Sequence, residues 1–143
     1  MATFISHSPD ETIALGERLG LELRSGQVIA LCGELGAGKT QFVKGVASGL
    51  GTSARVHSPT FALVNVYAGG RLRLYHLDLY RLETPEQIRS AGLEEYLAPV
   101  GVTVIEWAER LWPADQPAPP AVTIVKFETL SERERRITLE PGA

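Results

Sequence analysis

The chain contains one cysteine, Cys32, so no internal disulfide and no cysteine-built metal cluster can form within it. Its place at the end of the apolar run VIALC suits a small buried thiol. Long apolar runs are also missing: a run such as Val28 to Cys32 falls far short of the roughly 20 residues a helix needs to cross a bilayer. The opening segment MATFISHSPDE lacks the basic-then-apolar order of a secretory signal, and the expectation is a cytoplasmic protein with no membrane span. There is no excess of positive charge. A net charge of -3 argues against a broad basic surface for nucleic acid, although the arginines allow a local patch. Lysine is confined to Lys39, Lys44 and Lys126, and Asn65 is the only asparagine. The histidines are His7, His57 and His76, with no pair at metal-ligand spacing, which favours structural or hydrogen-bonding roles for them.

What is present fits one globular domain, residues 1–143. Hydrophobic residues make up 44% and charged residues 22%, close to soluble averages, and a chain of this length buries about two thirds of the surface it exposes when unfolded. Ser8, Pro9 and Glu11 form a capping-box signature ahead of a helix in which Leu15, Leu19 and Leu23 make an apolar stripe, with Gly26 as the stop. QVIALC is a short run typical of a strand buried on both faces. Phe42, Val43, Val46, Ala47 and Leu50 then follow helical spacing up to Gly51. FALVNVY and LRLYHLD flank a Gly-Gly turn and predict a β-hairpin, so the sheet is expected to be mixed. Thr84, Pro85 and Gln87 repeat the capping logic before EQIRSAG, with LEEYL continuing the helix after Gly92. VTVIEW, VTIVKF and RRITLE read as further strands, and the proline-dense PADQPAPPA as a surface connector.

Between QVIALC and the second helix, Gly33, Glu34, Leu35, Gly36, Ala37, Gly38, Lys39 and Thr40 spell GELGAGKT and satisfy G-x-x-x-x-G-K-[ST] in strand–turn–helix context. Glycines let backbone N–H groups approach phosphate oxygens, and the helix N-terminus adds roughly half a unit of positive charge. In such a loop Lys39 would bridge the terminal phosphates and Thr40 would ligate Mg²⁺ through its hydroxyl. A phosphate loop hydrolyses nothing unaided, because the metal needs further ligands and a water must be placed in line. Asp78 ends LRLYHLD and Glu106 ends VTVIE; each can supply a strand-end carboxylate, or be an ordinary solvated acid. Asn65 lies outside any N-K-x-D guanine motif, which makes adenine the expected base.

GELGAGKTQFVKG, SPTFALV, HLDLYRL and IEWAER occur in this order within the one chain. Together they resemble the TsaE (YjeE) family, small bacterial P-loop ATPases needed for threonylcarbamoyladenosine (t6A) modification of tRNA, over about residues 8–140. The resemblance implies a single-domain P-loop NTPase-like α/β fold, a three-layer sandwich with a mixed central sheet. It implies ATP and Mg²⁺, with residues 33–40 as the phosphate loop and Thr40 on the metal. It places Ser58, Pro59 and Thr60 in a switch-like segment near the γ-phosphate, Asp78 in the metal or water network, Glu106 in metal coordination or catalysis, and Thr12 close to the nucleotide. Trp107 would sit beside that network, or serve as a core aromatic. The implied partners are TsaB and TsaD, the threonylcarbamoyl transferase pair, with tRNA held through their assembly. Slow ATP turnover in isolation is expected on separate grounds, because phosphoryl-transfer sites are often completed by a partner-supplied group.

His57 and His76 lie next to two of these motifs. Arg81 can neutralise phosphate or pair with Glu83 and neighbouring acids. Arg133, Arg135 and Arg136 of SERERR fit a solvated turn, a nucleotide contact or a partner contact. Two other readings share the phosphate loop. A small-molecule kinase would hand the γ-phosphate to an acceptor, but no arginine-rich lid insertion is evident; a nucleotide-dependent switch would bind a partner with negligible catalysis.

Overall fold

The computed structural model of the protein describes residues 2–34, 36–52, 56, 64–112 and 118–141. Helix α1 spans Pro9–Glu22, opened as its sequence predicts: Ser8 Oγ accepts the Glu11 N–H at 3.1 Å. The Glu11 carboxylate reaches back to the His7 N–H at 3.3 Å, one residue before the capping serine, so both ends of the first turn are tied. Ser8→Ala is therefore expected to lower stability by about 1 kcal/mol, read from the midpoint of urea unfolding. The helix stops at Glu22, earlier than Gly26 suggests, with Leu23 extended at its C-cap. No basic residue lies in the last turn, and Arg71 reaches in from elsewhere in the chain, donating to the carbonyls of Leu23 (2.8 Å) and Gly20 (2.9 Å) that the helix leaves open.

The strands are β1 (Ala2–Ser6), β2 (Val28–Gly33), β3 (Val64–Tyr67), β4 (Leu74–Asp78), β5 (Val102–Glu106), β6 (Val122–Thr129) and β7 (Arg135–Pro141). They form one seven-stranded sheet in the order β1-β7-β6-β2-β5-β4-β3. The central strands β6, β2, β5 and β4 are parallel, and antiparallel β3 and β7 flank them. The expected hairpin is β3–β4, with Val64 opposite Leu77 and Tyr67 opposite Leu74. The sequence did not announce β1, an exposed edge strand whose register with β7 places Phe4 opposite Ile137. Burial in the middle explains the apolar runs: Val28, Ile29, Ala30 and Leu31 of β2 are all interior.

Helices cover both faces. On one, α1 and α2 (Lys39–Gly49) pack with Phe42, Val43, Val46 and Leu50 against Ile29, Leu31 and Val104. On the other, α3 (Pro85–Ser90) and a 3-10 turn at Leu93–Leu97 cover Val28, Ala30, Leu77 and Ile105. LEEYL is thus a 3-10 turn and not a continued α-helix. In the proline-rich connector Pro119, Pro120 and Ala121 are exposed, as a surface segment should be, while Ala118 is buried in this second core; residues 113–117 lie outside the described ones. No described helix is long and apolar enough to span a membrane.

The contact between α1 and α2 rests on glycine. A Cβ built on Gly45 would stand 2.0 Å from the Ile13 carbonyl oxygen, one on Gly49 2.3 Å from that of Glu17, and one on Gly16 2.3 Å from that of Phe42. Backbone touches backbone there, which sets how deeply α2, and the glycine-rich turn at its start, sits on the sheet.

Candidate functional site

Because β2, β5 and β4 are parallel neighbours, their carboxyl ends line up. Gly33 ends β2, Glu106 ends β5, and Asp78 ends β4 directly opposite Glu106 in register. This is the edge at which α/β sheets take ligands. Gly33 has φ +147° and a Cβ on it would meet the Phe127 carbonyl at 2.8 Å, so the loop's first position admits only glycine. Gly38, at φ +100°, turns the chain into α2. Lys39 opens that helix almost wholly buried, at 4% exposure. Its Nζ donates to the Gly33 carbonyl at 2.7 Å and lies 3.5 Å from the centre of the Trp107 ring. Burial lowers the Lys39 pKa from its ordinary value, and the carboxylates of Glu109, Glu106 and Asp78 oppose the shift.

One residue on, the Thr40 hydroxyl donates to the Glu106 carboxylate, with distances of 3.3 and 3.4 Å to its two oxygens. Glu106 is 3% exposed, and its Oε2 lies 2.5 Å from Nε2 of the fully buried His76. His76 Nδ1 in turn lies 3.4 Å from the Tyr67 hydroxyl, which accepts from the Asn65 amide at 3.3 Å. Glu106 is thus oriented from behind by a polar chain running into the hairpin. Asp78 Oδ1 accepts the Tyr80 N–H at 2.9 Å. Burial raises the Asp78 pKa above its ordinary value; the Tyr80 N–H works against the rise and the nearby Glu106 adds to it.

These donors suit magnesium by their chemistry. A hydroxyl and two carboxylates are hard oxygen ligands, and Mg²⁺ binds through one or two carboxylates plus phosphate and water, not in an all-protein cage. Among the described residues no group of three His, Cys, Asp or Glu side chains forms such a cage. Cys32 is half-buried, and burial pushes its thiol up to about 11, so it offers no thiolate at neutral pH.

The loop, the carboxylates and the start of α1 enclose a cleft of about 810 Å³. Thr12, Gly36, Gly38, Lys39, Thr40, Asp78 and Glu106 all line it, so these candidates from four separate stretches share one cavity. Thr12 is held there by Ser6, hydroxyl to hydroxyl at 2.7 Å. Ala37 packs in the core, Glu34 is exposed, and its carbonyl accepts the Ala37 N–H at 3.1 Å. Leu35, His57, Ser58, Pro59 and Thr60 lie outside the described residues. Arg133 and Arg135 line the far wall, and Arg135 donates to the Gly36 carbonyl at 3.3 Å; Arg136 pairs instead with Glu128 at 3.3 Å. Arg81 is exposed.

Two contributions were not read from sequence. Tyr80 lines the cleft with its ring 5.2 Å from that of Trp107, and Glu109 accepts the Gly33 N–H at 3.1 Å. Glu109 had one available signal, its place in IEWAER three residues after Glu106. Trp107 itself, at φ +60°, is the only non-glycine with positive φ among the described residues.

A mixed seven-stranded sheet with helices on both faces and a glycine-rich turn leading from its central strand into a helix defines an α/β protein of the phosphate-loop type. The chain belongs to the TsaE family: the model described as "Threonylcarbamoyl adenosine biosynthesis protein TsaE" matches residues 6–137. The chain is 42% identical to the tRNA threonylcarbamoyladenosine biosynthesis protein TsaE of Treponema pallidum, over 94% of this chain and 97% of that one. It is 38% identical to the protein of that name from Bacillus subtilis, over 92% of this chain and 80% of that one. Among solved structures it is similar to Bacillus subtilis YdiB, with a TM-score of 0.74 and 33% identity, covering 99% of this chain and 86% of that one.

Proposed function

We propose that this protein binds ATP with Mg²⁺ and hydrolyses it in support of threonylcarbamoyladenosine modification of tRNA, acting on a TsaB–TsaD complex and not as the transferase. The observation that carries the ATPase part is the meeting of Thr40, Glu106, Asp78 and Lys39 in one cleft, with the Thr40 hydroxyl already directed at Glu106. The tRNA part rests on the family and on the names of its members. The cytoplasm is the corresponding location.

In the proposed reaction a water attacks the γ-phosphorus in line, the bond to the β,γ-bridging oxygen breaks, and ADP leaves with phosphate as the second product. Bound Mg²⁺ would supply positive charge to offset that building on the leaving group. Thr40, with Glu106 or Asp78, would hold it. Lys39 exchanges the Gly33 carbonyl for phosphate oxygens and stabilises charge developing on them. The carboxylate not engaged by metal would orient the water, and His76 keeps Glu106 from turning away.

The test is Mg²⁺-dependent ATP hydrolysis by the protein alone and with TsaB and TsaD, with GTP as a control. Turnover is expected to be slow alone and raised by the partners together with ATP; a rate indifferent to them removes the partner assignment. Glu106→Ala should lower stimulated turnover roughly a hundredfold, the scale of losing one group that stabilises or orients in the transition state. A Glu106→Ala protein that still supports the modification in cells would instead favour a switch without significant catalysis.

A further inference from the structure

The two carboxylates of IEWAER meet opposite ends of the phosphate loop. Glu106 takes the hydroxyl of Thr40, the last residue of the motif, while Glu109 Oε2 accepts the N–H of Gly33, the first, at 3.1 Å. The left-handed turn at Trp107 makes this possible: it ends β5 and starts the 3-10 turn Ala108–Arg110, which doubles back toward the end of β2. Gly33 is then held from both sides, its N–H by Glu109 and its carbonyl by the Lys39 ammonium at 2.7 Å. The other carboxylate oxygen, Oε1, is buried and has no hydrogen-bond partner among the described residues. Burying a carboxyl oxygen without a donor is costly, and an apolar side chain would fill the same space without that cost. Glu109 is also the carboxylate that most opposes the loss of the Lys39 charge on burial.

We propose that Glu109 is a positioning residue of the phosphate loop: by holding the Gly33 N–H it aims the Gly33 carbonyl at Lys39 and keeps the empty loop in its nucleotide-accepting shape. The proposal rests on the nucleotide-binding reading above. It concerns the loop before ATP arrives, so it has a readout in the nucleotide-free protein. With Trp112 replaced by phenylalanine, Trp107 becomes the only tryptophan, and its emission reports whether the Lys39 ammonium stands over its ring.

In that background Glu109→Ala and Glu109→Gln are compared with the parent by nucleotide-free emission and by titration with Mg·ATP, with Lys39→Ala supplying the emission of an uncovered Trp107. Glu109→Ala is expected to shift emission toward the Lys39→Ala spectrum and to weaken ATP binding about tenfold, the scale of one hydrogen bond to a charged group. Glu109→Gln keeps an acceptor for the Gly33 N–H and is expected to restore the parent's emission and most of its affinity. An alanine variant with the parent's emission or the parent's affinity overturns the proposal. So does a glutamine variant as impaired as alanine, since the charge and not the hydrogen bond would then be what matters. If Glu109→Ala does not melt cooperatively, Glu109→Asp, shorter by one methylene, is judged by the same criteria. A parent protein that binds no ATP would sink the nucleotide reading, while the emission comparison would still decide whether Glu109 positions Lys39.

Discussion

Lys39→Ala is expected to abolish measurable ATP turnover, a loss of roughly 10²–10³-fold or more in kcat, and to weaken ATP binding as well. The size follows from the surroundings of this ammonium. It is already stripped of most of its water, held by the Gly33 carbonyl and the face of Trp107, so little reorganisation is needed when phosphate replaces the carbonyl. Without it, Asp78, Glu106 and Glu109 present their carboxylates near the phosphate position with no lysine to balance them. Triphosphate would then meet repulsion at the place where charge builds up in the transition state. Alanine is well suited to a first helical turn, so the fold should survive and the loss should be chemical. Hydrolysis assays with ATP and Mg²⁺, together with a binding titration, measure both effects. Retained turnover would remove the phosphate-loop assignment.

Gly45→Ala should cost about 3 kcal/mol of stability, the upper range for overpacking a well-filled interior. The added methyl would fall 2.0 Å from the Ile13 carbonyl oxygen and 2.8 Å from the Glu17 nitrogen, both backbone atoms that no rotamer change can move. Helix α1 would have to move away from α2, opening the core around Phe42 and Val46. For a domain of this length that corresponds to a fall of roughly 10 °C in Tm, measurable by far-UV circular dichroism. Ser48→Ala, an exposed position on the same helix, is the control that should change little. Because α2 begins with Lys39 and Thr40, ATP affinity should fall along with stability. An unchanged Tm would mean the two helices do not pack at the spacing seen here.

The glycine-rich turn between β2 and α2 was legible because its requirements are local. Residues that must turn sharply have to be glycine, and the lysine and hydroxyl must follow at once at the helix start. The α1 cap was legible for the same reason, since Ser8 and Glu11 act on backbone groups within one turn. Strands β2 and β5 announced themselves by apolar runs that only a sheet covered on both faces can bury.

The rest depended on which chain segments meet. Gly16, Gly45 and Gly49 read in sequence as weak helix positions, and only the approach of α1 to α2 shows that a side chain there would strike backbone. Strand β1 carries no strong pattern because it is an exposed edge, defined by its partner β7. His76 and Glu106 are thirty residues apart, and the parallel pairing of β4 with β5 makes them neighbours at 2.5 Å. Glu109 reaches Gly33 only because Trp107 takes a backbone conformation that no local rule assigns to tryptophan. Sequence alone therefore determined the loop, the helix starts, the buried strands and the family resemblance, all set by short-range backbone demands and hydrophobic periodicity. Tertiary structure decided the order of the strands, and with it which carboxylates face Thr40 and Gly33, because contacts between distant segments follow from sheet register and helix packing, which no short window of residues encodes.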